Sequence, residues 1–425
     1  MEIKDLYKLY LQYPSIKIDT RKLAKGDLFF ALKGANFNGN NFAKAALDAG
    51  AAYVIVDEEL NFNDKKIFKT ADVLLTLQQL AKHHREQFNI PFIAITGSNG
   101  KTTTKELVHA VLSTTYKTYT TEGNLNNHIG IPLTILKIKK NAEMAVIELG
   151  ANHQKEIEDY CLYTLPTHGL ITNIGKAHLE GFGGIEGVRK GKGELFDFLK
   201  ANHGTAFVNN DDNYLKEIST GIKNVIVYGT SEGSVTGRSI SSSSFLEVEI
   251  IKGTNIRTIK TQLVGEYNLL NVLAAVTIGK YFNVADEKIK SAVENYFPSN
   301  SRSQLIKKGS NTFILDAYNA NPASMKAAIE NFAQMHGTNK ILLLGSMMEL
   351  GAESEKEHEQ IIKLIDNYQW KAVVLVGDNF KNINNSYQQF ANAEETKAWL
   401  KNQHLQNSQL LIKGSRSMQM EKVLE

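Results

Sequence analysis

The stretch Thr96-Gly97-Ser98-Asn99-Gly100-Lys101-Thr102-Thr103-Thr104-Lys105 constrains this chain more than any other. It follows the apolar run Pro91-Phe92-Ile93-Ala94-Ile95 and precedes Glu106-Leu107-Val108-His109-Ala110-Val111-Leu112. The first run reads as a buried strand and the second as a helix with one apolar face. A glycine-rich turn ending in Gly-Lys-Thr between such elements is the setting of a phosphate-binding loop. Gly97 and Gly100 allow backbone shapes and close approach that a Cβ would block. The loop N–H groups and the helix N-terminus offer donors and partial positive charge to an anion. Lys101 then reaches the β- and γ-phosphates of a nucleotide, and the Thr102 hydroxyl can ligate Mg²⁺. The spacing is unusual: two residues separate Gly97 from Gly100, where the common loop has about four.

Around this loop the chain reads as α/β. Residues 1–84 form a small mixed unit, with strands at Asp27–Leu32 and Tyr53–Asp57 and a helix over Asn41–Gly50. The polar helix Leu75–Phe88 leads into a second unit, residues 85–298. There, strands at 145–149, 169–173, 206–209 and 225–228 alternate with helices, the signature of a parallel sheet. Phe245–Ile251 and Arg257–Val264 alternate more strictly, which predicts an antiparallel pair at an edge. Ser241–Ser244 reads as a loop before that pair. After the helix Tyr267–Phe282, the polar stretch Phe297–Ser303 is the linker to a third, Rossmann-like unit, residues 299–425. Its strands are at 313–316, 340–344, 372–376 and 410–413, and its helices at 323–335, 354–368 and 394–401.

The net charge of +3 is too small to argue for nucleic acid or an anionic membrane. With one cysteine, Cys161, there is no intrachain disulfide, and a Cys-based zinc site is not expected. No window has the length of a membrane span, and the first residues carry charges without a long apolar core. These features predict a cytoplasmic protein.

Ligands of open parallel sheets bind beyond the carboxyl ends of the strands. Glu148 ends one predicted strand. Asn173 ends another, shortly before His178 and Glu180. Glu148 and His178 can face a metal held by Thr102, or His178 can be a structural histidine. A carboxylate ending a buried apolar strand needs a partner. Thr121–His128, rich in amides, suits a sugar or peptide ligand, or is a turn. Asp19-Thr20-Arg21 and the loop Lys33–Asn41 carry polar groups for a ligand, or are plain loops. Val188–Glu194 reads as a solvated charge run.

Taken together these stretches resemble the Mur ligase family, ATP-dependent amide-bond ligases of peptidoglycan synthesis. The short loop Gly97–Thr103 is similar to that family's own phosphate loop. The resemblance spans essentially the whole chain in the family's three-domain order. The run Asp316-Ala317-Tyr318-Asn319-Ala320-Asn321-Pro322-Ala323-Ser324-Met325 resembles members that join D-alanyl-D-alanine to UDP-N-acetylmuramoyl-tripeptide. Gly345–Gly351, His358, Gly123–Asn127 and Lys413–Arg416 add to it.

The resemblance implies roles. Gly97, Ser98, Asn99, Gly100, Lys101, Thr102 and Thr103 would hold the ATP phosphates, and Thr102, Glu148 and His178 would bind Mg²⁺. Lys192 matches a lysine that becomes carbamylated and so joins the metal set. Asn268 and Asn271 would contact adenine, although the family more often has His where Tyr267 stands. Arg302 would reach the γ-phosphate, with Ser301 where a Gly is usual, and Asp316 would contact ribose or orient the third domain. Thr20 and Arg21 would meet the uridine nucleotide. Asn124, Asn126, Asn127, Tyr318, Asn319 and Asn321 would contact the remaining substrate. Lys101, Lys192, His178 and Arg302 would be the catalytic set, in a monomer. The turn His153-Gln154-Lys155-Glu156 lacks a glycine common at that point. Two rivals stand beside this reading: a family member with another amino-acid or folate substrate, and a nucleotide-dependent binding module. A guanine-reading Asn-Lys-x-Asp is absent from the sequence.

Overall fold

The computed structural model describes residues 2–240, 245–299 and 301–425. The Ser241–Ser244 loop therefore lies outside the described residues. Three α/β units follow one another, each built on its own sheet. The first has four parallel strands in the order Ile16–Lys17, Leu28–Phe30, Tyr53–Val56, Ile67–Lys69, plus a small hairpin, Lys33–Gly34 with Phe37–Asn38.

The second carries nine strands in the order Thr258–Val264, Phe245–Lys252, Val235–Ser239, Asn224–Gly229, Thr205–Asn209, His168–Ile171, Phe92–Thr96, Met144–Glu148, Thr118–Thr120. Seven of them are parallel, from Val235–Ser239 onward. The strictly alternating pair Phe245–Lys252 and Thr258–Val264 adds antiparallel at one edge, as its polar/apolar period predicts. Phe92–Thr96 is fully buried along its length, which is why it reads as a continuous apolar run rather than an alternating one. Chain progress reverses at this strand, with Met144–Glu148 on one side and His168–Ile171 on the other. Three strand ends therefore open onto one crevice.

The third sheet has six strands: Gln304–Lys308 antiparallel to Asn311–Asp316, then Gln409–Lys413, Lys340–Gly345, Ala372–Val376 and Gln388–Phe390 in parallel. The helix Val73–Arg85 bridges the first two units. Arg85 donates to the Thr164 and Leu165 carbonyls at 3.0 and 2.9 Å and lies 3.7 Å over the Phe92 ring. Short strands without a strong pattern (Ile16–Lys17, Thr118–Thr120, Val235–Ser239, Gln388–Phe390) were not legible in the sequence. Among the described residues no helix is long and apolar enough to cross a membrane.

Candidate active site

The phosphate-type loop is fixed by its neighbour strand. Ser98 N donates to the Asn173 carbonyl at 2.9 Å and Asn99 N to Asn173 Oδ1 at 3.0 Å. Thr172 Oγ1 and Asn173 Nδ2 both donate to the Asn99 carbonyl, at 2.6 and 3.0 Å. Gly97 has φ +135°, and a Cβ there would stand 2.1 Å from Thr172 Oγ1. Gly100 has φ +78° and precedes the helix Lys101–Ser113, and a Cβ there would meet Asn271 Oδ1 at 2.7 Å. Both positions favour glycine, Gly97 most, since its Cβ would also press on the backbone of Thr172 and Asn173 at 3.0 and 3.1 Å. Lys101 folds back, donating from Nζ to the carbonyls of Gly97 and Ser98 at 2.8 and 3.1 Å. Burial lowers its pKa to about 8.

Beside the loop, Glu148 is 1% exposed. It accepts from Thr102 Oγ1 at 2.8 Å and from Asn126 Nδ2 at 2.7 Å. The partner that a buried carboxylate demands is therefore a hydroxyl and an amide. Two hard oxygens, Thr102 Oγ1 and Glu148 Oε2, converge in the crevice, a donor set that fits Mg²⁺ carrying waters and phosphate oxygens. Among the described residues no three His, Cys, Asp or Glu side chains converge into an all-protein metal cage.

A cavity of about 990 Å³ joins this crevice to the third unit. Its wall includes every residue from Ser98 to Thr103, Asn124, Asn126, Asn127, Glu148, His178, Asn268, Asn271, Arg302, Asp316, Tyr318, Asn319 and Asn321. Asn268 and Asn271 are tied into a chain in which Thr104 Oγ1 donates to Asn271, Asn271 to Asn268, and Asn268 to the Val264 carbonyl. Arg302 stacks 3.6 Å above the Tyr318 ring, and its buried Nε finds no hydrogen-bond partner among the described residues. A guanidinium held over an aromatic face keeps its donors free for an anion. Asp316 is held by Lys413 Nζ at 2.5 Å and Ser303 N at 3.1 Å. Asn127 caps a local turn through Gly130 N at 2.9 Å, and Asn319 Oδ1 accepts from Ala320 N.

Four sequence-predicted residues are not part of this wall: Gly97, which lies at the base of the loop, and Thr20, Arg21 and Lys192. Thr20 and Arg21 lie on a short helix of the first unit, where Arg21 pairs with Asp19 at 2.8 Å. Lys192 lies behind the wall, donating to the Ala151 carbonyl at 2.8 Å. The reading of Val188–Glu194 as a solvated charge run is corrected. Lys192 is 1% exposed in the helix Ile185–Ala201, and Gly191, Gly193 and Glu194 are buried with it. Burial, then repulsion from Lys101, pushes its pKa well below the usual lysine value. Glu194 instead caps the helix Glu156–Thr164, accepting from Lys155 N and Glu158 N at 2.6 and 3.0 Å.

The two places lacking an expected glycine keep the glycine conformation: Lys155 has φ +74° and Ser301 φ +56°. Tyr267, at the position of the more usual His, reaches Ser303 Oγ at 2.7 Å. Sequence reasoning missed Glu349, whose Oε2 lies 2.5 Å from His178 Nδ1. The His178 contact holds the Glu349 carboxyl below the usual carboxylate range. The signal was present in the Gly345–Gly351 run, but only the fold brings it across to His178.

Family models match the three units in order. Residues 12–95 match the Mur ligase family catalytic domain, 95–279 the Mur ligase middle domain and 301–416 the Mur ligase glutamate ligase domain. This chain belongs to the Mur ligase family. Among its relatives is the Escherichia coli protein named UDP-N-acetylmuramoyl-tripeptide–D-alanyl-D-alanine ligase, 36% identical over 96% of this chain and 92% of that one. The crystal structure of MurF from Acinetobacter baumannii superposes with a TM-score of 0.89 at 32% identity, covering 96% of this chain and 92% of that one. The Thermotoga maritima MurF structure in complex with ADP gives 0.88 at 26% identity and 97% of each chain.

Proposed function

We propose that this chain is an ATP-dependent amide ligase of cytoplasmic peptidoglycan precursor synthesis, joining D-alanyl-D-alanine to UDP-N-acetylmuramoyl-tripeptide. The observation that carries it is one cavity walled by both the phosphate-type loop and the Tyr318–Asn321 run of the third unit. The tripeptide carboxylate attacks the γ-phosphate of ATP, releasing ADP and leaving an acyl phosphate. The dipeptide amine then attacks the acyl carbon, phosphate leaves and an amide remains. A bare carboxylate cannot lose oxide, so phosphorylation supplies the leaving group.

Lys101 and Arg302 offset charge on the transferring phosphoryl group. Released from its own loop carbonyls, Lys101 Nζ has three donors for phosphate oxygens. Thr102 and Glu148 would hold Mg²⁺, which neutralises phosphate charge when bound. His178 lines the same cavity, and a carbamate on Lys192 would turn a buried amine into an oxygen ligand. Asn268 and Asn271 face the adenine end, Thr20 and Arg21 the uridine end. Asn124, Asn126, Asn127, Tyr318, Asn319 and Asn321 take the peptide portions. Domain limits fall at 84/85 and 298/299, and the three units work as a monomer.

The test is phosphate release. ATP turnover should require both UDP-tripeptide and D-alanyl-D-alanine. Turnover that needs neither would overturn the reading in favour of a nucleotide-dependent module.

A further inference from the structure

We infer that Glu349 is the residue that receives the ammonium group of the incoming dipeptide, an assignment that rests on the ligase reading above. A ligase of this kind must hold an amine beside an activated acyl group, and before it reacts that amine arrives as a cation. The cavity wall contains four acidic side chains: Glu148, Glu156, Asp316 and Glu349. Three already accept two hydrogen bonds each, Glu148 and Asp316 through both oxygens and Glu156 through Oε2. Glu148 accepts from Thr102 and Asn126. Glu156 accepts from the backbone of Asn152 and His153, at 2.6 and 2.8 Å. Asp316 is bound by Lys413 and Ser303. Glu349 meets a single polar side chain among the described residues, the His178 ring, and its side chain is 50% exposed. It is the most exposed carboxylate of the wall, against 30% for Glu156 and 17% for Asp316, and the one that projects from the third unit towards the central one.

Its placement suits an acceptor at the seam between units. The backbone around it is fixed from both sides. Glu180 N, from the central unit, donates to the Glu349 carbonyl at 3.3 Å. Two residues earlier, Met347 N donates at 3.0 Å to Nε2 of the fully buried His358, whose Nδ1 donates to the Ser354 carbonyl at 2.7 Å. Those bonds settle the His358 tautomer: Nδ1 carries the proton and Nε2 accepts. Glu349 itself sits at φ +62°, a backbone shape that glutamate seldom takes and that persists where surroundings impose it. The carboxylate thus projects from the third unit towards His178 on the central unit, with the phosphate-type loop and Asn319 lining the same cavity. A carboxylate there selects a free amino terminus over a neutral or blocked one, since leaving it without a cation forfeits a charge-assisted bond.

The experiment compares the wild type with Glu349→Gln and Glu349→Asp, using D-alanyl-D-alanine as substrate and D-lactyl-D-alanine, which has a hydroxyl for the amine, as inhibitor. Glu349→Gln should raise KM for the dipeptide at least about ten-fold. The Ki for D-lactyl-D-alanine and the KM for ATP should stay within about two-fold, and Glu349→Asp should recover most of the dipeptide KM. Equal losses for dipeptide and D-lactyl analogue would overturn the assignment, because a merely structural role weakens both. So would an unchanged dipeptide KM in Glu349→Gln. A wild type indifferent to D-alanyl-D-alanine overturns the ligase reading itself, and that result is visible before any variant is made.

Discussion

Asn321 Nδ2 donates to Asn99 Oδ1 across 2.8 Å, joining residues 222 positions apart. The bond ties the phosphate-type loop to the first turn of a helix in the third unit. Asn321 Oδ1 also caps that helix, Pro322–Gln334, by accepting from Ser324 N at 2.9 Å within a capping box. One side chain therefore serves both local helix initiation and docking of the third unit. The two duties separate by mutation. Asn321→Ala should lose both, at about 1 kcal/mol for the cap, read as roughly five-fold faster hydrogen exchange in the first helical turn. Asn321→Asp should keep the cap, lose the donor and set a carboxylate against Asn99 Oδ1. It should leave exchange in that turn unchanged but widen the molecule in small-angle scattering. An unwidened profile for Asn321→Asp would show that the Asn99 contact does not hold the third unit.

Lys192 offers a chemical test. Its burial favours the neutral amine, the form that adds to carbon dioxide and then loses a proton to give a carbamate. Lys192→Ala should lose turnover by at least about 10², the scale of losing one electrostatic contributor. Formate or acetate should restore part of it by occupying the vacated space as an oxygen anion. A variant with normal turnover, or one that no small acid rescues, would count against carbamylation.

Lys155 and Ser301 hold left-handed backbone without being glycine. Relief of that strain is worth about 1–2 kcal/mol per residue. The added freedom of glycine in the unfolded chain takes back about 0.4–1 kcal/mol. Relief wins narrowly. The double variant Lys155→Gly with Ser301→Gly should gain about 1 kcal/mol, seen as a thermal midpoint higher by about 1 °C. A lower midpoint would mean that unfolded-state entropy dominates.

Acid should weaken the fold before the carboxylates titrate. His168 packs among Phe207, Tyr281 and Phe282. Burial lowers its pKa to about 4 from the usual 6.5, and His84, His109 and His358 shift the same way. The folded state keeps these rings neutral while the unfolded chain protonates them. Their stabilisation is complete above pH 6.5 and drains away as the pH falls towards 4. For His168 alone the loss is up to roughly 3 kcal/mol. Denaturant midpoints measured between pH 7.5 and 4.5 should fall, and His168→Gln should flatten the slope. A slope that His168→Gln leaves unaltered would exclude that ring as its source.

Much of the architecture was legible because the signals were local. Ala372–Val376 and Lys340–Gly345 are short apolar runs bounded by polar residues, and Gly97–Thr103 carries its own geometry. The site's wall was legible as a set of residues, since strand ends and the Tyr318–Asn321 run announce themselves by composition. Burial was not. Val188–Glu194 looks solvated because charge is visible in a sequence, whereas the helix packing that hides Lys192 is not. Nor was pairing: Asn126 turns to Glu148 and Lys413 to Asp316 only once strands distant in sequence lie side by side, and Glu349 reaches His178 only after two separate sheets are brought together.

The cavity draws the wall that holds the phosphate-type loop from the central sheet and the wall that holds Tyr318 and Asn321 from the third. That division makes the molecule a two-part tool with an exchangeable head. A chimera that keeps residues through Ser303, carries Asp316 over and replaces the rest of the third unit should retain the same activation chemistry while presenting a different amine. Contacts such as Asn99 with Asn321 and Lys176 with Glu357 are then the mating threads that any grafted head must match.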